Sequence, residues 1–421
     1  MIHPSELSSD SEAAHSLLSA AAVRERSRRL LEHGLAGRLD HFTVEPDRLD
    51  GAAEEVVKTI RANYPNLNIP FHARWRHFSA GGLDRWASVV PMAPWTASAE
   101  MARAAFDLAI VSVLLDAGAG PDWRYEEGRT GETYARSEGL AVASFDMFIS
   151  GAFSSRLEDP FRVDAEALIT LSAEELAAGL QVGPDNPLVG LEGRAALLNR
   201  LGRVMAENGH VFGRADSPRP GGLFHVLAGE GGAAIGAAIV PAPAILEAIL
   251  LHLGAIWPGR IALGGIDLGD TWRHPLAHAP DATNGLVPFH KLSQWLSYSL
   301  IEPLEWAGLA VSDVGGLTGL PEYRNGGLFL DAGVIALKDR ADAAAEHEVG
   351  SKLVVEWRAL TVALLDRVAP LVREKLGVPE DSLPLAKVLE GGTWATGRRL
   401  AREKRPDASP PLKVLSDGTV F

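Results

Sequence analysis

The sequence predicts a mainly α-helical protein with a few short β-strands. Three observations carry that expectation. Apolar residues recur at three- and four-residue steps in several long segments, helix-capping and helix-breaking residues bracket several of them, and strand signals are few. The first helix is expected over Ser11 to Leu35, rich in alanine, leucine and arginine, with Gly34 marking its end. A second, over Ala97 to Ala117, follows the capping candidates Thr96 and Ser98 and stops at Gly118-Ala119-Gly120-Pro121. Ser172-Ala-Glu-Glu175 reads as a capping box opening a short helix to about Leu180. Further helices are expected over Gly193 to Ala206, Pro243 to Leu253 and Phe289 to Leu304, the last with Leu292, Leu296 and Leu300 on one stripe. The clearest amphipathic pattern spans Glu346 to Leu371, where Leu353, Trp357, Leu360, Leu364, Val368 and Leu371 share a face. Leu223 to Leu227 and the tail from Leu412 to Phe421 read as short strands or a terminal hairpin.

Composition narrows the function. The chain has 421 residues, a formal charge of −14 and no cysteine, so disulfides, thiolate metal sites and a cysteine nucleophile are excluded. Its acidity is a poor match for a polyanion, which argues against a nucleic-acid partner. The N-terminal region lacks the basic-then-apolar pattern of a signal peptide, and no run of about 18 apolar residues is free of charge. A cytoplasmic protein without a membrane partner is expected. Length alone is compatible with two to three domains or with one large helical unit over 1–421, and the glycine- and proline-rich stretch 213–236 is the candidate loop or boundary.

Four segments concentrate polar, aromatic and glycine residues. In Ile69-Pro-Phe-His72-Ala-Arg74-Trp75-Arg76-His77-Phe78, two arginines and two histidines around a tryptophan read either as an anion site or as a solvated turn with Trp75 anchored in the core. Leu114-Leu-Asp116-Ala-Gly-Ala-Gly-Pro-Asp122-Trp123-Arg124-Tyr125 ends a helix on glycines and offers Asp116 for a hydroxyl and Trp123 for stacking, although glycines also simply stop helices. Asp267-Leu-Gly-Asp270-Thr-Trp272-Arg-His274, with His278 beyond it, raises the question of a metal, but matches no standard ligand spacing. The richest segment joins Val287-Pro-Phe-His290-Lys291-Leu-Ser-Gln294-Trp295 to a loop carrying Glu322, Tyr323, Arg324 and, further on, Asp331. A carboxylate beside cations is held ionised, as a base requires; the plain alternative is an Arg324 salt bridge that ties down the loop.

Four longer motifs read together resemble one family. Pro70-Phe-His-Ala-Arg-Trp-Arg-His-Phe78, Phe106-Asp-Leu-Ala-Ile-Val-Ser-Val-Leu-Leu-Asp-Ala-Gly-Ala-Gly120, Phe289-His-Lys-Leu-Ser-Gln-Trp-Leu-Ser-Tyr-Ser-Leu-Ile-Glu-Pro-Leu304 and Leu317-Thr-Gly-Leu-Pro-Glu-Tyr-Arg-Asn-Gly-Gly327 are similar to those of the uracil-catabolism family, which includes the fourth protein of the fungal URC pathway and bacterial relatives. Gly391-Gly-Thr-Trp394-Ala-Thr-Gly397 and the end at Phe421 fit it too, so the likeness runs from about residue 15 onward. The resemblance implies a role in releasing urea from a ribosylurea intermediate at the 5′-phosphate level. A fainter resemblance, to the queuosine-nucleoside glycosylases, implies a helical DNA-glycosylase-like fold. It rests on Ala73-Arg74-Trp75, Leu115-Asp116-Ala117, Lys291 and Glu322-Tyr323-Arg324. Those glycosylases carry aspartate where this chain has the longer Glu322.

The implied chemistry assigns roles. Breaking an N-glycosidic bond creates an oxocarbenium-like centre that a carboxylate stabilises while orienting water. Glu322 takes that part, with Asp331 in reserve and Lys291 binding a ribose hydroxyl or setting the ionisation of Glu322. Urea departs poorly as an anion, so His290, His274 or His77 is expected to donate a proton. Arg74, Arg76 and Arg324 are the phosphate clamp expected, Asp116 and Asp270 the hydroxyl ligands, and Trp75, Trp123, Trp272 and Tyr323 the packing groups. No cofactor is implied, and the partner is a small nucleoside- or nucleotide-derived molecule. Competing readings are a metal-dependent amidohydrolase built on Asp267, Asp270, His274 and His290, or a non-catalytic partner of other enzymes of the pathway.

Overall fold

The computed structural model describes residues 9–116, 118–213, 217–229, 239–257 and 260–415. The architecture is mainly α. Its principal helices are α1 (Ser9–Leu17), α2 (Ala20–Leu35), α3 (Leu49–Asn63), α4 (Arg74–Phe78), α5 (Ser98–Leu114), α6 (Arg136–Ile149), α7 (Ala173–Gly179), α8 (Leu191–Glu207), α9 (Gly222–Ala228), α10 (Ala242–Leu253), α11 (Lys291–Trp306), α12 (Tyr323–Asp331), α13 (Lys352–Leu376) and α14 (Trp394–Lys404). Among the described residues, strands occur as two-stranded ladders, such as Phe42–Val44 antiparallel to Ile335–Leu337. Two helices form the spine. The long α13 packs on α2, α3 and α12, while α11 packs on α5 and α10, and one contiguous apolar core reaches from Ala20 to Leu412.

Several boundaries differ from expectation for local reasons. The first helix is two, because Ser19 takes an extended conformation and its hydroxyl accepts the Ala22 amide as an N-cap. The capping box at Ser172 and Glu175 opens α7 as its spacing predicts. Leu223 to Leu227 is helical rather than extended, packed through Phe224 on Phe106 of α5. Residues 346–348, expected to begin the long helix, form instead a strand parallel to Lys413–Leu415, and Ser351 caps α13. Within the tail, Lys413–Leu415 pairs across the chain; the last residues, 416–421, where a terminal hairpin is expected, and parts of 213–236 lie outside the described residues.

Close packing around the end of α14 depends on missing side chains. A Cβ on Gly397 would collide with the backbone carbonyl of Arg324, and one on Gly392 would press into Val56 and Ile60 of α3. The Gly391-Gly-Thr-Trp394-Ala-Thr-Gly397 motif is thus what lets this helix lie against both α3 and α12. Among the described residues, no helix is long and apolar enough to cross a membrane.

Candidate functional site

One cavity of about 870 Å³ opens between α4, α6, α11, α12 and α14, a size suited to a small molecule. Its lining mixes apolar groups with charges of both signs, Asp116, Glu138, Glu322 and Glu390 together with Arg76, Arg136, Lys291 and Arg398, and with His72, His77, Tyr134, Tyr323, Trp295 and Trp394.

Glu322 stands at the N-cap of α12. Its extended backbone lets the carboxylate fold back, and its two oxygens accept the amides of Arg324 (2.7 Å) and Asn325 (2.5 Å). Burial pushes its pKa up from the ordinary value; the two amides, the Lys291 charge and His72 offset only part of that. Lys291 begins α11, directly after His290, which sits in the left-handed region at φ 48°. Its amide donates to Asp270 Oδ2 (3.0 Å). Burial lowers the Lys291 pKa, as does the charge of Arg358, against the opposing fields of Glu322, Asp270 and Asp116.

Asp116, two residues beyond α5, is held on both oxygens: Arg74 Nη1 donates to one (2.6 Å) and the Ser137 hydroxyl to the other (2.9 Å). Arg74 itself is fully buried, bonded through Nε to Ser112 Oγ (2.7 Å), with its guanidinium 5.5 Å from the Trp295 ring centroid. It therefore positions Asp116 from behind. Arg76 lines the cavity but is paired with Glu302 (2.5 Å), and Arg324 turns away to donate to the Ala408 carbonyl (3.0 Å). The three arginines expected to form a clamp do not converge. The arginines at the rim are Arg136, at the first turn of α6, and Arg398, stacked 5.4 Å from the Trp394 centroid and 3.6 Å from Glu138.

Other expected residues lie outside the cavity. Asp270 is clamped by Arg358 through two 2.7 Å bonds and by the Trp272 indole (2.7 Å). Burial pushes its pKa up, but the Arg358 charge and these bonds outweigh that and hold it well below the usual carboxylate range. Its contribution is to anchor the backbone of Lys291. His274 bonds Glu356 (3.2 Å), His290 bonds the Leu17 carbonyl (3.0 Å), and Asp331 is forked by Arg405 (2.8 and 2.6 Å). Trp75 and Trp123 are core residues, their indole N–H groups bonded to the carbonyls of Ser299 (2.7 Å) and Leu180 (2.9 Å). The side chains weighed for a metal, Asp267, Asp270, His274 and His290, are thus committed separately or spread apart, and among the described residues no three metal-ligating groups converge. Of the histidines expected to donate a proton only His77 reaches the cavity, and there burial and the charges of Arg74, His72 and Arg76 drive its pKa well below the ordinary value, leaving a neutral ring.

The lining also contains residues to which sequence reasoning assigned no role, Glu390, Trp295, Trp394, Arg136 and Arg398, together with His72, read from sequence only as part of a possible anion site. A π-helical turn at Leu389–Thr393 carries Glu390, whose Oε2 lies 2.7 Å from His72 Nδ1. Glu390, Trp394 and Arg398 follow one another at four-residue steps, a spacing readable from sequence once residues 385–404 are taken as one helix.

The helical scaffold thus converges charged, aromatic and histidine side chains on one half-open cavity. The chain belongs to the family described as protein of unknown function (DUF1688), whose family model matches residues 16–421. It is 40% identical to the protein urg3 of Schizosaccharomyces pombe, over 97% of this chain and 99% of that one. It is 38% identical to uracil catabolism protein 4 of Lachancea kluyveri, over 96% of this chain and 98% of that one.

Proposed function

We propose that the protein acts in uracil catabolism as an N-glycosidase, hydrolysing the bond between urea and ribose in a ribosylurea. The name of the Lachancea kluyveri relative supports the pathway. The observation that carries the reaction is the meeting of Glu322, Lys291 and Asp116, from three distant parts of the chain, in one cavity. In this reading the Glu322 carboxylate, immobilised by two amides, faces C1′ and stabilises the cationic transition state while orienting the attacking water. The Lys291 charge offsets part of the burial that raises the Glu322 pKa, and Asp116, oriented by Arg74 and Ser137, accepts from ribose hydroxyls. A phosphate on the sugar would meet Arg398 and Arg136 at the rim.

The test is incubation of purified protein with ribosylurea and with its 5′-phosphate, in buffer containing EDTA, following free urea. Release from either supports the reading. Release from neither, or release that EDTA abolishes and zinc or manganese restores, removes it.

A further inference from the structure

Urea cannot leave C1′ readily as an anion, so the reaction proposed above needs an acid on the nitrogen side of the bond. His290 and His274 are buried away from the cavity, and His77 is held neutral. His72 is different. Its ring lines the cavity, its Nδ1 is 2.7 Å from Glu390 Oε2, and its Nε2 has no hydrogen-bond partner among the described residues. The ring is hemmed in by two indoles, Trp295 at 6.5 Å and Trp394 at 6.4 Å, and its backbone N–H is tied to the Ala386 carbonyl (3.1 Å). Glu322 lines the same cavity, so the two groups share one site. The groups facing it are thus Glu390, Glu322, Arg76 and His77. Trp295, 8% exposed and also in the lining, has an indole N–H with no partner, an unanswered donor beside the ring.

A carboxylate on one ring nitrogen fixes the tautomer, stabilises the imidazolium and leaves the other nitrogen to exchange a proton with a ligand. We propose that His72 is the catalytic acid that protonates the departing urea, with Glu390 as its positioning residue; this rests on the N-glycosidase reading. The C1′–N bond breaks with its electron pair on nitrogen, which takes the Nε2 proton. Water oxygen bonds to C1′ and gives a proton to the Glu322 carboxylate, and exchange with solvent returns both groups to their starting states. Trp295 donates to the urea carbonyl.

The experiment compares two leaving groups. His72→Asn and His72→Gln are assayed with ribosylurea and with 4-nitrophenyl riboside, whose phenolate leaves without a proton. The expected loss in kcat is about 10²- to 10³-fold with ribosylurea and under about 10-fold with the aryl riboside. Glu390→Gln is expected to lower kcat with ribosylurea while leaving KM and the aryl reaction nearly unchanged. If the aryl compound is not accepted by the wild type, rescue of His72→Ala with ribosylurea by added imidazole serves as the measure, and its absence overturns the proposal. Equal losses on both substrates would reduce His72 to a structural residue while leaving the glycosidase reading intact. A wild type that cleaves neither substrate removes the reading itself.

Discussion

Glu322→Gln separates a helix cap from a catalytic carboxylate, because the two roles predict different sizes of effect. Glutamine keeps one acceptor oxygen but turns an NH2 toward the second amide, so one of the bonds to Arg324 and Asn325 is lost. A hydrogen bond to a charged group is worth roughly 1.5–3 kcal/mol. Against this, neutral glutamine escapes the burial penalty that raises the carboxyl pKa, which leaves a net loss of about 1–2 kcal/mol, in the range of cap substitutions. For 421 residues, an unfolding entropy of about 2.1 cal/mol/K per residue comes to roughly 0.9 kcal/mol/K, so Tm should fall by only about 1–2 °C. Urea release should fall much further. Losing a preorganised group aimed at the transition state costs about 10³-fold, or roughly 4 kcal/mol. Glu322→Asp provides the control: aspartate is a favoured N-cap, so Tm should hold within about 1 °C while the shorter reach lowers kcat roughly 10- to 100-fold. Calorimetry and a urea-release assay on the same preparations decide the matter. If Glu322→Gln keeps its rate within about threefold while Tm falls as expected, Glu322 is a cap and nothing more.

Five further outcomes follow from the same geometry. The pH–rate profile should have an acid limb above the ordinary glutamate value, since the base must ionise, and an alkaline limb below the ordinary lysine value. In stability the two groups have opposite signs: the raised Glu322 favours the protonated folded state, so its contribution declines as pH rises from the ordinary to the raised value, whereas the depressed Lys291 makes stability rise with pH between its lowered value and 10.5. Arg74→Met strands a buried Asp116 and should cost about 3–5 kcal/mol, seen as a Tm drop of several degrees. Arg398→Met, at the rim, should leave Tm nearly unchanged and raise KM for the 5′-phosphate alone, a split read by parallel kinetics on both substrates. Gly397→Ala should destabilise by about 1–3 kcal/mol by forcing α14 off the Arg324 carbonyl, measurable by denaturant melting.

Long, strongly periodic segments were legible from sequence: α11 lies within two residues of the stretch the leucine stripe indicates, and α13 covers most of its stretch but begins six residues later, after the strand at Glu346–Glu348. What local pattern could not supply was context. Leu17-Leu18 continues the apolar stripe, so the break at Ser19 is visible only once its hydroxyl is seen capping α2. Leu223 to Leu227 is too short to distinguish strand from buried helix by period, and contact with Phe106 decides it. At the cavity, Lys291, Glu322 and Asp116 emerged from motifs, but the role of each cation depended on partners far along the chain. Arg74 finds Asp116, Asp270 finds Arg358 and Asp331 finds Arg405, and no spacing rule announces those pairs. The pairing of His72 with Glu390 escaped for the same reason: they meet across most of the chain.

Those distant pairs have a physical logic. A buried ion pair is often no more stable than apolar residues of the same shape, so stability alone is a weak account of several such pairs in one molecule. Asp270 with Arg358, and Arg74 with Asp116, stand directly behind groups that line the cavity, and each fixes one of them: Asp270 holds the amide of Lys291, and Arg74 holds the carboxylate of Asp116. Glu390 does the same for His72. A site that must stabilise a brief positive charge gains most from groups unable to reorient as the charge forms, and a layer of buried partners supplies that rigidity. The charged residues that stood out in the sequence but proved to lie outside the cavity, Asp270 and Arg74 above all, belong to this layer.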